Sequence, residues 1–237
     1  MAERNIQGMA INELPGVIYL HGLGSSPDSP KGRLIAEYLN ARGYETRRPY
    51  LSLPCLAELS VERSLGEVVR CFGEFPREQG VVLIGSSFGG FLALQALARL
   101  CSEDARRVRA LILLAPLLFP WHQEFGVINP GLEAQWRHNG AFPIEEGASG
   151  KMVNVHVSFL DELRHFRTED VHPSIPTLII HGARDESVPV RQSEVFSSQN
   201  RGVTLVKIDD GHQLLQEPQK LLSLITEFLE SVSTGVA

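Results

Sequence analysis

The 237-residue chain has few cysteines, no basic excess and no long apolar run. Its three cysteines, Cys55, Cys71 and Cys101, are odd in number and lack CxxC spacing, which excludes a disulfide framework and reads as reduced thiols. No segment approaches the roughly 20 apolar residues of a membrane span. The opening MAERNIQGMAINELPG lacks the continuous apolar stretch of a signal peptide, so a cytoplasmic location is expected. The 22 Lys and Arg are outnumbered by 28 Asp and Glu, a net charge of -6. That balance disfavours nucleic acid or an anionic membrane as partner, because either rewards a basic face. Five of the eight histidines fall between positions 122 and 172, but no pair has HxH or HxxxH spacing. No metal and no cofactor is therefore expected.

What is present is an ordinary core: 43% hydrophobic and 21% charged residues, enough for one α/β domain without staples. Apolar runs closed by small residues predict buried strands at GVIYLHG (16–22), VVLIG (81–85), VRALILLAP (108–116), IPTLIIHG (175–182) and VTLVKIDD (203–210). YETRRPYLS predicts a more exposed edge strand, since Pro49 removes a ladder donor. Between them, SPKGRLIAEYLNARGY carries a Ser29 cap, Pro30 and helical spacing up to Gly43. Helices are also predicted over LAELSVERSLGEVVRCFGEF, FLALQALARL, 190–199 and 217–232. Strand alternating with helix implies a parallel sheet covered on both faces. Only the 117–173 interval breaks this rhythm. It is rich in aromatics, glycine and proline and holds both tryptophans, and an interval of that length reads as an inserted cap or a long functional loop.

Three strand ends carry residues suited to nucleophilic catalysis. In VVLIGSSFGG (81–90), Gly85-x-Ser87-x-Gly89 sits between an apolar strand and an apolar helix. This is the form of a sharp turn that leaves one serine exposed at its apex. Ser86 is the rival nucleophile, at the variable position facing the packed turn. Serine needs an adjacent base, and His212 in VKIDDGHQLLQEP lies between the last strand and the last helix, where a sheet returns a side chain to its carboxyl edge. In IIHGARDESVPV, Asp185 follows Gly182 by three residues; an acid there can hold the imidazole in one tautomer. Asp161, Glu162, Asp209 and Asp210 are the other candidate acids, the last two too close to His212 in sequence to orient it easily. YLHGLGSSP can turn the Leu23 amide toward the serine, with the Phe88 amide as its partner in an oxyanion hole. His21 belongs to the shaping of that loop. Trp121 and Trp136 are candidates to line an acyl pocket, or else to pack the insertion against the sheet.

The segments HGLG, GSSFGG, HGARDESVP and DDGH, in that order and near strand ends, resemble the α/β-hydrolase superfamily from about residue 15 onward. The short length and the LHGLGSSPDSPKG opening are similar to small bacterial esterases of the YqiA type. The resemblance implies one domain over 1–237 with a cap near 117–173. It implies an α/β-hydrolase fold with a mostly parallel sheet of about six or seven strands. The first two strands of the family's sheet have no counterpart here, although the N-terminus could add an edge strand. Ser87, Asp185 and His212 map onto the family's triad. The expected activity is hydrolysis of small to medium carboxylic esters or thioesters, by a monomer or homodimer. An acyltransferase or C–C bond hydrolase would use the same residues, and a non-catalytic binding protein could share the frame.

Overall fold

A computed structural model describes residues 14–147 and 149–234; the edge strand anticipated from the N-terminus lies outside them. In chain order the first half comprises β1 (Gly16–Leu20), α1 (Pro30–Asn40), β2 (Thr46–Arg47), α2 (Val61–Gly73), β3 (Val81–Ser86), α3 (Phe88–Arg99), the short α4 (Ser102–Ala105) and β4 (Val108–Leu114). The second half comprises α5 (Pro130–Asn139), β5 (Ala141–Glu146), β6 (Lys151–His156), α6 (Ser158–Arg164), β7 (Thr177–Gly182), α7 (Arg191–Gln199), β8 (Val203–Ile208) and α8 (Pro218–Thr234).

Six strands form one sheet in the order β2-β1-β3-β4-β7-β8, with every neighbouring pair parallel. Successive side chains point to opposite faces, and both faces are buried. Ile18, Leu20, Leu83 and Leu111 join a core shared with α2 and α3, whereas Val17, Tyr19, Ile84 and Ile112 join one shared with α1 and α8. The chain first runs outward from β1 to β2, then crosses to β3 on the other side of β1. Strand order therefore reverses between β1 and β3, and ligands of open α/β sheets bind outside the carboxyl ends at such a point.

Local chemistry sets the helix ends. Ser29 Oγ accepts from the Gly32 amide with Pro30 in the first turn of α1, and Ser60 Oγ accepts from the Arg63 amide at the start of α2. That second cap starts α2 at Val61, later than apolar spacing alone suggests. The edge strand is also shorter than expected: only Thr46 and Arg47 pair with β1, and pairing ends before Pro49.

The 117–173 interval holds structure of its own. β5 and β6 pair antiparallel in a two-stranded sheet, a hairpin hidden from a search for apolar runs because both strands are half-exposed. Phe159, Leu160 and Leu163 of α6, and Phe166 just after it, are consumed by packing. Phe159 meets Phe88 edge-on at 5.5 Å between ring centroids, and Phe166 meets Phe91 at 6.0 Å. Gln192 of α7, fully buried, ties the interval down: its Oε1 accepts from the Leu118 and Phe119 amides, and its Nε2 donates to Phe125 O.

Candidate active site

β3 ends at Ser86 and α3 begins at Phe88, leaving Ser87 alone in the turn at φ 55° and ψ -117°. A non-glycine residue held there stores on the order of 1–3 kcal/mol of strain. The flanking glycines make the turn possible. A Cβ on Gly85 would lie 2.3 Å from Gly89 O, and one on Gly89 would lie 2.1 Å from Leu20 O. The Ser87 side chain caps nothing and borders a cleft of about 630 Å³ at the carboxyl ends of β1 and β3.

His212 borders the same cleft. Its Nδ1 lies 2.7 Å from Asp185 Oδ2, and its side chain is 19% exposed while that of Asp185 is fully shielded. Asp185 Oδ1 accepts from the amides of Ser187 and Val188, at 2.8 Å each, which explains how the DESVPV loop fixes the carboxylate. Burial pushes the Asp185 carboxyl up, but hydrogen bonds from His181, His212 and the Val188 amide outweigh it and hold the group well below the usual carboxylate range. Ser87 and His212 face one space, although among the described residues no direct hydrogen bond joins their side chains.

The loop after β1 forms the opposite wall. Leu51 N–H donates to Nε2 of His21, so Nδ1 carries the proton and donates to Gly22 O. Burial holds the His21 pKa below its usual value, against the Gly22 hydrogen bond; this histidine shapes the loop as a neutral ring. Leu23 borders the cleft. Among the described residues, neither the Leu23 nor the Phe88 amide has a hydrogen-bond partner.

The other candidate acids are engaged elsewhere. Asp161 pairs with Arg137 and Glu162 accepts from Ser60 Oγ, while Asp209 pairs with Arg184. Asp210 braces the turn before the histidine, accepting from the Gly211 and Gln216 amides. The tryptophans require a correction, for neither lines the cleft. Trp136 is buried on α5 with Nε1 donating to Val155 O and its ring against Phe142 and Phe159, and Trp121 packs beneath the Arg164 guanidinium.

Three residues of the site escaped the sequence reading. His181, on β7, is buried with Nε2 3.1 Å from Asp185 Oδ2 and 2.9 Å from Val188 O; its signal was a histidine in an otherwise apolar strand. Glu145 of β5 reaches the cleft from the hairpin. Lys31, on the first turn of α1, is buried against Ser86, with its Nζ 3.0 Å from the hydroxyl. Burial draws the Lys31 pKa down to about 8, against the pull of Asp185 and Asp210. Its signal was a cation at a helix N-terminus, where the dipole disfavours one.

A six-stranded parallel sheet with a serine elbow after β3, an acid after β7 and a histidine after β8 defines the α/β-hydrolase fold. Residues 16–230 match the family described as an uncharacterised protein family, UPF0227, and the chain belongs to that family. Solved structures agree on the architecture. Mouse alpha/beta hydrolase domain-containing protein 10 superposes with a TM-score of 0.75 at 21% identity, over 92% of this chain and 90% of that one. Est1E from Butyrivibrio proteoclasticus, with ferulic acid bound, gives 0.75 at 20% identity over 98% and 94%. A monoacylglycerol lipase from Paleococcus ferrophilus gives 0.65 at 16% identity over 92% and 96%. At these identities the likeness is one of fold. A search of curated proteins gives no match.

Proposed function

We propose that this protein is a serine hydrolase of small to medium carboxylic esters or thioesters. The observation that carries the reading is the 2.7 Å contact between His212 Nδ1 and Asp185 Oδ2, with His212 and the strained Ser87 bordering one cleft. In this reading Asp185 stays ionised and fixes the tautomer in which His212 Nε2 is free to accept a proton. Ser87 Oγ attacks the acyl carbonyl while its proton passes to Nε2. The amides of Leu23 and Phe88 receive the oxyanion, aided by the N-terminus of α3. His212 then gives the proton to the leaving alcohol or thiol, and later takes one from the water that attacks the acyl-enzyme. Close approach of Ser87 and His212 belongs to the substrate complex, since catalytic hydrogen bonds commonly tighten only there.

Polar side chains of Ser25, Ser26, Gln213 and Glu145 around the cleft favour water as acyl acceptor over a bulky apolar alcohol. The 117–173 segment serves as the cap over the sheet edge, and the whole chain acts as one catalytic unit. Exposed free thiols at Cys55 and Cys101 support a reducing, cytoplasmic setting. Turnover of p-nitrophenyl acetate tests the reading: the wild type should release nitrophenolate with saturation kinetics, and Ser87→Ala should not. Equal rates for the two proteins would refute it.

A further inference from the structure

Lys31 stands where two physical rules disfavour it. The first turn of a helix presents the positive end of the backbone dipole, and a buried ammonium is expensive unless it is paired. Lys31 occupies the first turn of α1 and is 4% exposed. Among the described residues it has no carboxylate within ion-pair distance. Its Nζ donates instead to Ser86 Oγ at 3.0 Å and to the backbone carbonyl of His212 at 3.4 Å. One acceptor adjoins the nucleophile in sequence, and the other belongs to the residue proposed as base. The ammonium thus bridges the elbow and the histidine loop, two segments separated by more than 120 residues of chain. The other hydrogen bonds on that loop run within it, from the Gly211 and Gln216 amides to Asp210, or to the loop after β7. There the Arg184 amide donates to Asp210 O, the Arg184 side chain pairs with Asp209, and Asp185 meets His212; none of these reaches the elbow.

We propose that Lys31 is a positioning residue that sets the placement of His212 relative to Ser87. The proposal rests on the serine-hydrolase reading. Lys31 holds the main chain of the base and the hydroxyl beside the nucleophile, so its removal lets the imidazole drift while the acyl-binding surface stays intact. A misplacement of about 1 Å at a reacting pair can lower the rate about 100-fold. Lys31→Met removes a buried ammonium that has no carboxylate partner among the described residues, and the relief of that burial cost offsets the two hydrogen bonds lost with it, so the exchange costs the fold little.

The test compares wild type, Lys31→Met and Ser86→Ala on p-nitrophenyl acetate, with a thermal melt of each. Lys31→Met should lose about 100-fold in kcat with KM within about twofold and Tm unchanged or raised. Ser86→Ala removes one of the two acceptors and should lower kcat by about tenfold, again at constant KM. A merely structural lysine would show the opposite signature, a lower Tm with kcat retained. If Lys31→Met does not fold, Ser86→Ala decides alone. Undiminished kcat in every folded variant overturns the proposal, and so does a raised KM at constant kcat, which would make Lys31 a substrate contact. Those outcomes require an active wild type. A wild type inert to esters and to fluorophosphonate instead removes the hydrolase reading, and the positioning role with it.

Discussion

Oδ2 of Asp185 lies between two histidines, 2.7 Å from Nδ1 of His212 and 3.1 Å from Nε2 of His181. His181 cannot serve as the exposed base. It is wholly buried, and its Nδ1 is engaged with the Ser193 hydroxyl. It acts on the carboxylate from behind and leaves His212 as the ring that meets the cleft. Asp185→Asn would therefore disturb both contacts while leaving the loop amides a partner in the remaining oxygen. The expected loss in kcat is about 10⁴ with a native circular dichroism spectrum. Near-normal turnover by this variant would remove Asp185 from the mechanism.

Ser87→Ala and His212→Ala should each lower kcat by roughly 10⁴–10⁶, and the double variant should be no slower than the worse single one. Groups that act as a unit lose their effect together. Steady-state rates of the three variants on one ester check this. Multiplicative losses would show that Ser87 and His212 act independently.

Much of this arrangement is legible in the sequence, because it lies at strand ends where apolar runs stop abruptly. VVLIG running into Ser86-Ser87 marks the elbow, and the Gly-bounded ends of IIHG and KIDDG mark where Asp185 and His212 emerge. The hairpin of β5 and β6 is harder to read: its strands are half-exposed and short, and their alternation is visible only once a partner is known. Trp136 misleads for a related reason. A large aromatic ring in an inserted segment looks like a pocket wall, whereas here it fills the space between α5 and the hairpin and satisfies its N–H on Val155. Lys31 carries one sequence signal, a cation at a helix N-terminus, but the signal does not show its role, since its partners lie on Ser86 and His212, distant in sequence.

Lys31 also predicts a pH signature in stability. The folded chain releases its proton near pH 8, below an ordinary lysine's 10.5, chiefly through burial. Between those values the unfolded chain binds more protons, so the stability attributable to this position grows as pH rises through the window. At pH 7, Lys31→Met should melt at or above the wild-type temperature, and the gap should close or reverse toward pH 10. Other groups titrate in both proteins and cancel in the difference. A gap that does not vary with pH would contradict the depressed pKa.

Short acyl chains should be preferred, with no rise in rate at a lipid–water boundary. An enzyme that docks on lipid presents a broad apolar face. Here Phe159 of α6 and Phe166 just after it are buried against Phe88 and Phe91, and the large exposed apolar side chains among the described residues are Val69 and Met152. On p-nitrophenyl esters of increasing length, kcat/KM should fall beyond medium chains. A continued climb to palmitate, or a jump once substrate exceeds its solubility, would contradict this and favour a lipase.

The central claim is that Ser87 is an activated nucleophile, and fluorophosphonate labelling of the folded protein tests it most directly, without any choice of substrate. The account predicts a single covalent adduct in intact mass. Trypsin should release it in the peptide Glu78–Arg99, which has no internal Lys or Arg, with fragment ions placing it on Ser87 and not on Ser86. Labelling should disappear in Ser87→Ala and slow sharply in His212→Ala. A folded wild-type protein that takes up no label, or carries it on Ser86, would contradict the account.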